Sequence, residues 1–126
     1  MNIINVITTL QTITSLETVM YGGDVASDKP LNEKVPAVYV TSAGERAASS
    51  YVSSQHVQTL NHAVQVMLVC SHADFPSVRD EILNKLAGLP LGSFNMEFSE
   101  GKMIDATTNL IYWKDVFTIQ RQIRRA

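Results

Sequence analysis

Cys70, His72 and Asp74 stand at alternate positions of one segment. Alternate residues of a β-strand point to the same face, so the three could converge. A thiol, an imidazole and a carboxylate on one face are the parts of a thiol nucleophile with its base, or of a metal ligand set. His56 and His62 lie upstream on the same stretch. The pattern lacks what such chemistry needs. Nucleophile and base are usually drawn from separated segments that enforce their geometry, and His56 and His62, six residues apart, are too distant along one strand to share a small ion. The plainer reading makes Cys70 a small buried apolar residue, His72 a polar strand end and Asp74 the N-cap of a following helix. His62, on an apolar strand face, reads as a partly buried, hydrogen-bonded residue. The expected set of catalytic, cofactor-binding and metal-binding residues is therefore empty.

Other signatures point the same way. Gly22-Gly23 is not followed by Lys-Ser/Thr, Gly88-x-x-x-Gly92 contains Pro90, and no G-x-S-x-G elbow occurs. Glu97 and Glu100 read as solvated charges. Arg121, Arg124 and Arg125 follow the last acid, Asp115. Such a cluster can be a phosphate footprint, but no aromatics interleave it. It reads better as a solvated strand end or a charged contact to a neighbouring subunit or acidic partner.

Composition bounds the classes further. The 126 residues suit one domain, 1–126, able to bury a core without staples. Apolar residues make up 45%, which excludes a disordered tail, and charged residues only 17%, below the roughly 25% of ordinary soluble domains. Chains that spare charge in this way often cover part of their surface with a partner. The net charge of -2 argues against non-specific nucleic-acid binding. A single cysteine excludes an internal disulfide framework and a multi-cysteine zinc site. The first 28 residues hold three acids and no Lys or Arg, so no positive n-region is present. The longest apolar run, Val66 to Cys70, is far too short for a membrane helix. A soluble, cytosolically made product is expected.

The elements follow from periodicity. Ile3, Val6, Ile7, Leu10 and Ile13 make one stripe of a helix over 1–14. Residues 16–21 alternate as a short strand, Gly22-Gly23-Asp24 turns, and 24–35 is a polar connection. Pro36 opens a strand over 36–41, since its missing N–H is tolerated at a strand start. Residues 42–54, small and polar, predict a flexible loop. Residues 56–71 predict the longest strand, with Leu60, His62, Val64, Val66, Leu68 and Cys70 on its apolar face. Asp74 leads a helix over 75–87, with Phe75, Val78, Ile82, Leu83 and Leu86 in its buried stripe and Gly88 as its C′ residue. A hairpin is expected over 95–105, turning at Ser99-Glu100-Gly101. Residues 109–124 alternate as a long strand, with a bulge expected near Asp115, where a charge interrupts the apolar face. The sum is an α+β fold: a mostly antiparallel β-sheet with two main helices packed on one face.

In order and spacing, these pieces resemble the phage tail terminator (tail completion) proteins. The matching stretches are the strand ending in Tyr21-Gly22-Gly23-Asp24-Val25-Ala26, the Val35-Pro36-Ala37-Val38-Tyr39-Val40 strand with its polar loop, and the strand 57–70. They continue with the Asp74-led helix closing on Leu86-Ala87-Gly88-Leu89-Pro90, then Glu97-Phe98-Ser99-Glu100-Gly101, and Tyr112-Trp113-Lys114-Asp115-Val116-Phe117-Thr118. The resemblance implies a structural protein at the head-proximal end of the virion tail, assembled in the host cytoplasm. It implies a homo-hexameric ring, monomeric before assembly in some cases, that stops tail-tube polymerisation and meets the head-tail connector. It implies no enzyme, cofactor, metal or membrane, and no specific nucleic-acid binding. Such a ring could present loop 41–55 and hairpin 95–105 to the tail tube or the lumen.

Three alternatives make different predictions. Another neck, head-completion or minor tail ring would bind a different partner. A small hydrolase using Cys70, His72 and Asp74 would lose activity, but not its fold, on Cys70→Ala. A nucleic-acid-binding accessory protein using Arg121, Arg124 and Arg125 would show steep salt dependence.

Overall fold

The computed structural model describes residues 3–22, 34–47, 57–92 and 94–124. Helix α1 spans Ile3–Leu10 and is followed by strand β1, Thr18–Tyr21, and strand β2, Ala37–Ala47. Strand β3, Val57–Ser71, leads to helix α2, Phe75–Leu86. Two short strands, β4 (Pro90–Leu91) and β5 (Phe94–Asn95), precede the long strands β6, Glu97–Ala106, and β7, Leu110–Arg124. The main sheet has the order β1-β2-β3-β7-β6. Its strands are antiparallel except for β1, which runs parallel to β2. The expected α+β class, with a mostly antiparallel sheet, is what the chain adopts.

β3 and β7 form the spine. They pair without a register shift from Val57 opposite Arg124 to Ser71 opposite Leu110. Their alternation sends Val64, Val66, Leu68, Cys70, Ile111 and Phe117 to one face, where Val38 and Val40 of β2 join them. Both helices cover that face, α1 through Val6 and Leu10 and α2 through Val78, Ile82 and Leu86. Each fully buried aliphatic or aromatic side chain of this kind contributes about 1.5–3 kcal/mol by leaving water. The opposite face is not wholly wet. Ala37, Tyr39, Val69 and Tyr112 are buried in a second, smaller cluster there, with Met20, Met67 and Leu110 packed around them. β-branched and aromatic residues with both sides covered make β2, β3 and β7 central strands.

The ends of α2 follow from its flanks. Proline stands in the first turn, where its missing N–H costs nothing. Asp74 occupies the N-cap position but makes no side-chain cap; instead its own N–H donates to Ser71 Oγ at 3.2 Å. Gly88 takes a φ of +83° beyond the C-cap Ala87, the left-handed turn a C′ glycine permits. Its N–H donates to the Met96 carbonyl at 2.7 Å and ties the helix end to the chain entering β6.

Several boundaries differ from the sequence expectation, each for a physical reason. The first helix ends at Leu10, and 3₁₀-type bonds such as Ile13 N–H to the Leu10 carbonyl turn the chain while keeping Ile13 buried. The polar run after Thr41 is not all loop. Residues 42–47 continue β2, because pairing with β3 outweighs the weak strand preference of Ser, Ala and Gly. The rest of that expected loop, with His56 beyond it, and the turn at Gly23-Asp24 lie outside the described residues.

The hairpin expected over 95–105 is also corrected. Ser99-Glu100-Gly101 lies within β6, paired along β7, and the described turn of this hairpin joins β6 to β7, where Thr107 N–H donates to the Leu110 carbonyl at 2.8 Å. The expected bulge in β7 at Asp115 is absent: Asp115 pairs in register with Val66. The irregularities sit on the partner strand, between Phe98 and Glu100 and between Met103 and Asp105 of β6.

Candidate assembly surface

The structure takes Cys70, His72 and Asp74 apart. Cys70 is fully buried in the main core. Burial, and secondarily the Asp74 charge, push its thiol up to about 11, so almost no thiolate exists at neutral pH. His72 is exposed in the turn after β3, and its Nε2 donates to the Thr107 carbonyl at 2.8 Å. That bond ties the β3–α2 turn to the β6–β7 turn. Asp74 is exposed at the helix entry. These are packing, tying and helix-entry positions. Among the described residues no three His, Cys, Asp or Glu side chains gather to hold a metal ion.

Polar side chains converge in two other places. On the helix-side face of the far end of the sheet, Glu45 of β2 takes a bidentate pair from Arg121 of β7, with Nε at 2.5 Å and Nη2 at 2.8 Å. The Arg121 bonds hold the Glu45 carboxyl down at about 2, and the contact with Glu45 raises Arg121 in turn. Between them on β3, His62 has Nε2 3.1 Å from Ser42 Oγ and Nδ1 3.5 Å from Glu45 Oε2. His62 is thus the half-buried, hydrogen-bonded residue its strand position suggests. This lattice stitches three strands beside a pocket that Asn5 of α1 also lines. It also engages Arg121, the first member of the basic cluster; Arg125 lies outside the described residues.

The second convergence was legible only as an anomaly, a charge in an apolar alternation. Asp115 is buried on the helix side of β7, and its Oδ1 accepts from Trp113 Nε1 at 2.9 Å and from Arg79 Nη2 at 3.1 Å. The Arg79 guanidinium lies 4.9 Å from the Trp113 ring centre and 5.8 Å from that of Phe98. Gly101 of β6 leaves the room: a Cβ there would stand 2.7 Å from Asp115 Oδ1 and 2.9 Å from Arg79 Nη2.

On the face away from the helices lies a groove of about 430 Å³ lined by Gly44, Arg46, Asn61, Ala63, Glu100 and Val116. Two bulges border it. One lies between Ser42 and Gly44 opposite Val64 and Ala63, the other between Phe98 and Glu100 opposite Phe117 and Val116. Val64 pairs with Phe117, so both bulges fall on one row across the sheet. Each adds local twist to its edge, and Gly44, at φ +99°, supplies the left-handed residue such a bend needs. Arg46 stands on one bank of the groove and Glu100 on the other.

Residues 2–126 match the sequence family described as phage tail terminator protein. The chain belongs to the phage tail terminator family. It is accordingly a structural protein of the phage virion tail. No curated protein matches it. Among solved structures, a chain of the virion of the native gene transfer agent particle shares the fold, with a TM-score of 0.59 at 14% identity over 94% of this chain and 92% of that one. The family match spans all the elements described above, the edge strand β6 included.

Proposed function

We propose that copies of this chain form a six-membered ring that seats on the end of the tail tube and stops addition of further tube subunits. The ring's other side meets the head-tail connector, at the head-proximal end of the tail. Free subunits assemble there in the host cytoplasm, and residues 1–126 act as one domain. The observation that carries this reading is the family match over residues 2–126, which takes in every described element.

The reading is non-enzymatic. A buried, protonated Cys70 beside an exposed and already bonded His72 offers no activated nucleophile. Closed rings arise from heterologous contacts between two different patches of one subunit, and each contact alone can be weak. Free subunits can therefore be monomeric until a tube end gathers them.

The test is light scattering coupled to size exclusion over a wide concentration range, with negative-stain imaging of tail tubes to which the protein has been added. A six-copy ring, free or at one tube end, supports the reading. A monomer at every concentration that is not recruited to tube ends overturns it. Binding to a purified connector or baseplate but not to tubes would favour a different tail or neck ring.

A further inference from the structure

Six large apolar residues are exposed among the described residues, and four of them lie on the two edge strands of the main sheet. Phe98, Met103 and Ile104 belong to β6, with Met103 52% exposed. Tyr21 ends β1 and is 44% exposed. Among the described residues no strand pairs with the outer side of either edge. A sheet that ends in two unpaired, apolar edges is a template for pairing with another strand.

The two edges match in length and direction. Between its two bulges β6 is regular over four residues, Glu100 to Met103, opposite Val116 to Trp113. β1 is four residues long. β1 runs parallel to β2, β2 and β3 are antiparallel, and so are β3 and β7, and β7 and β6. β1 therefore runs opposite to β6. Copies placed edge to edge by a ring rotation keep their strand sense, so the β1 of one copy meets the β6 of the next antiparallel, the more stable pairing.

We infer that β1 of one subunit adds to β6 of its neighbour, so that a second copy of this chain is the occupant of each edge and the ring is closed by sheet-to-sheet contacts. The inference rests on the ring reading above and names its contact. The facing register follows from the pleat. Val19 belongs to the helix-side cluster, so Tyr21, two residues on, shares its side. Gly101 and Met103 pair with Asp115 and Trp113 on that same side. Setting Tyr21 against Gly101 and Val19 against Met103 keeps both helix-side layers continuous. Tyr21 then covers the strip where β6 has no side chain, next to Phe98.

The test mixes two full-length variants, Tyr21→Cys and Met103→Cys, under conditions where the wild-type chain assembles, on tail tubes if need be, and adds a short bismaleimide. Both positions are exposed, and Cys70 is buried away from the reagent. The expected product is a dimer linking one variant to the other, with neither variant linking to itself. A chain carrying both substitutions should give a ladder ending at the ring. Met103→Glu should raise the concentration needed for assembly about tenfold by placing an unpaired charge in the contact, with the unfolding midpoint unchanged.

Self-linked Tyr21→Cys or Met103→Cys dimers would replace the head-to-tail contact by a two-fold one and overturn the inference. Assembly without the 21–103 product, or unaffected by Met103→Glu, would overturn it and leave the ring reading standing. A wild-type chain that assembles neither alone nor on tubes overturns both.

Discussion

Arg79 of α2 reaches 3.1 Å to the buried carboxylate of Asp115 on β7, and the two residues are 36 positions apart in sequence. The pair pins the second helix to the spine of the sheet and to the root of the edge strand β6, because Trp113 and Phe98 flank the guanidinium. Asp115 spends both its bonds on Oδ1; among the described residues Oδ2 has no partner, nor has Arg79 Nε. A buried carboxylate held on one oxygen depends heavily on the partners it has.

Asp115→Ala should therefore be costly. It strands the Arg79 charge and the Trp113 N–H together, and roughly 3 kcal/mol is expected, the lower end of the range for breaking a buried pair because Arg79 keeps some access to water. Urea unfolding of both chains measures it. A loss below half of that would mean that water takes over the partners.

Gly101→Ala tests the same knot from β6. The added methyl meets Asp115, Arg79 and Trp113 within 3.1 Å, two of them held in the pair. Overpacking of this kind costs about 1–3 kcal/mol. A thermal shift indistinguishable from wild type would show that Arg79 swings aside freely.

The sequence made Asp115 visible as a charge inside an apolar alternation, but not its partner. Arg79 stands on another element, and no spacing rule links positions 36 apart. Gly101 was misread for a related reason. A glycine after Ser-Glu is also a turn signal, and only the Asp115 carboxylate across the strand shows that it is needed for its missing side chain. By contrast, β3 could be read face by face, since eleven alternating residues from Leu60 to Cys70 leave little choice of which side is buried. The parallel placement of β1 had no local signal at all, because it depends on a crossover rather than on the strand's own residues. The Glu45–Arg121 pair spans 76 positions and was equally silent.

Cys70 should behave as core. Thiol reagents at pH 7 to 9 should reach it only as fast as the chain unfolds, since the thiol is buried and ionises near 11. Cys70→Ala should cost about 1 kcal/mol and leave tube binding intact. The pH sign follows: the folded thiol holds its proton while the unfolded one, near 9.0, releases it, so stability falls as pH rises above 9. Rapid labelling of the native chain would contradict this placement.

Glu45 gives the opposite window. Its folded carboxyl sits at about 2 against an ordinary 4.5, so its contribution is complete above 4.5 and is lost as pH falls toward 2. Wild type should unfold at a higher temperature than Glu45→Gln at pH 7, with the gap constant down to about pH 5 and closing between 4.5 and 2. A gap that persists unchanged at pH 2 would assign the effect to packing rather than to the Arg121 bond.

The central claim is that this chain ends tail-tube growth. Purified tube protein polymerising in vitro, with the chain added during elongation and lengths scored by negative-stain microscopy, tests it most directly. The account predicts that growth stops within the time of addition and that a ring marks one end of each arrested tube. Tubes that lengthen at the same rate, with neither end decorated, would contradict it.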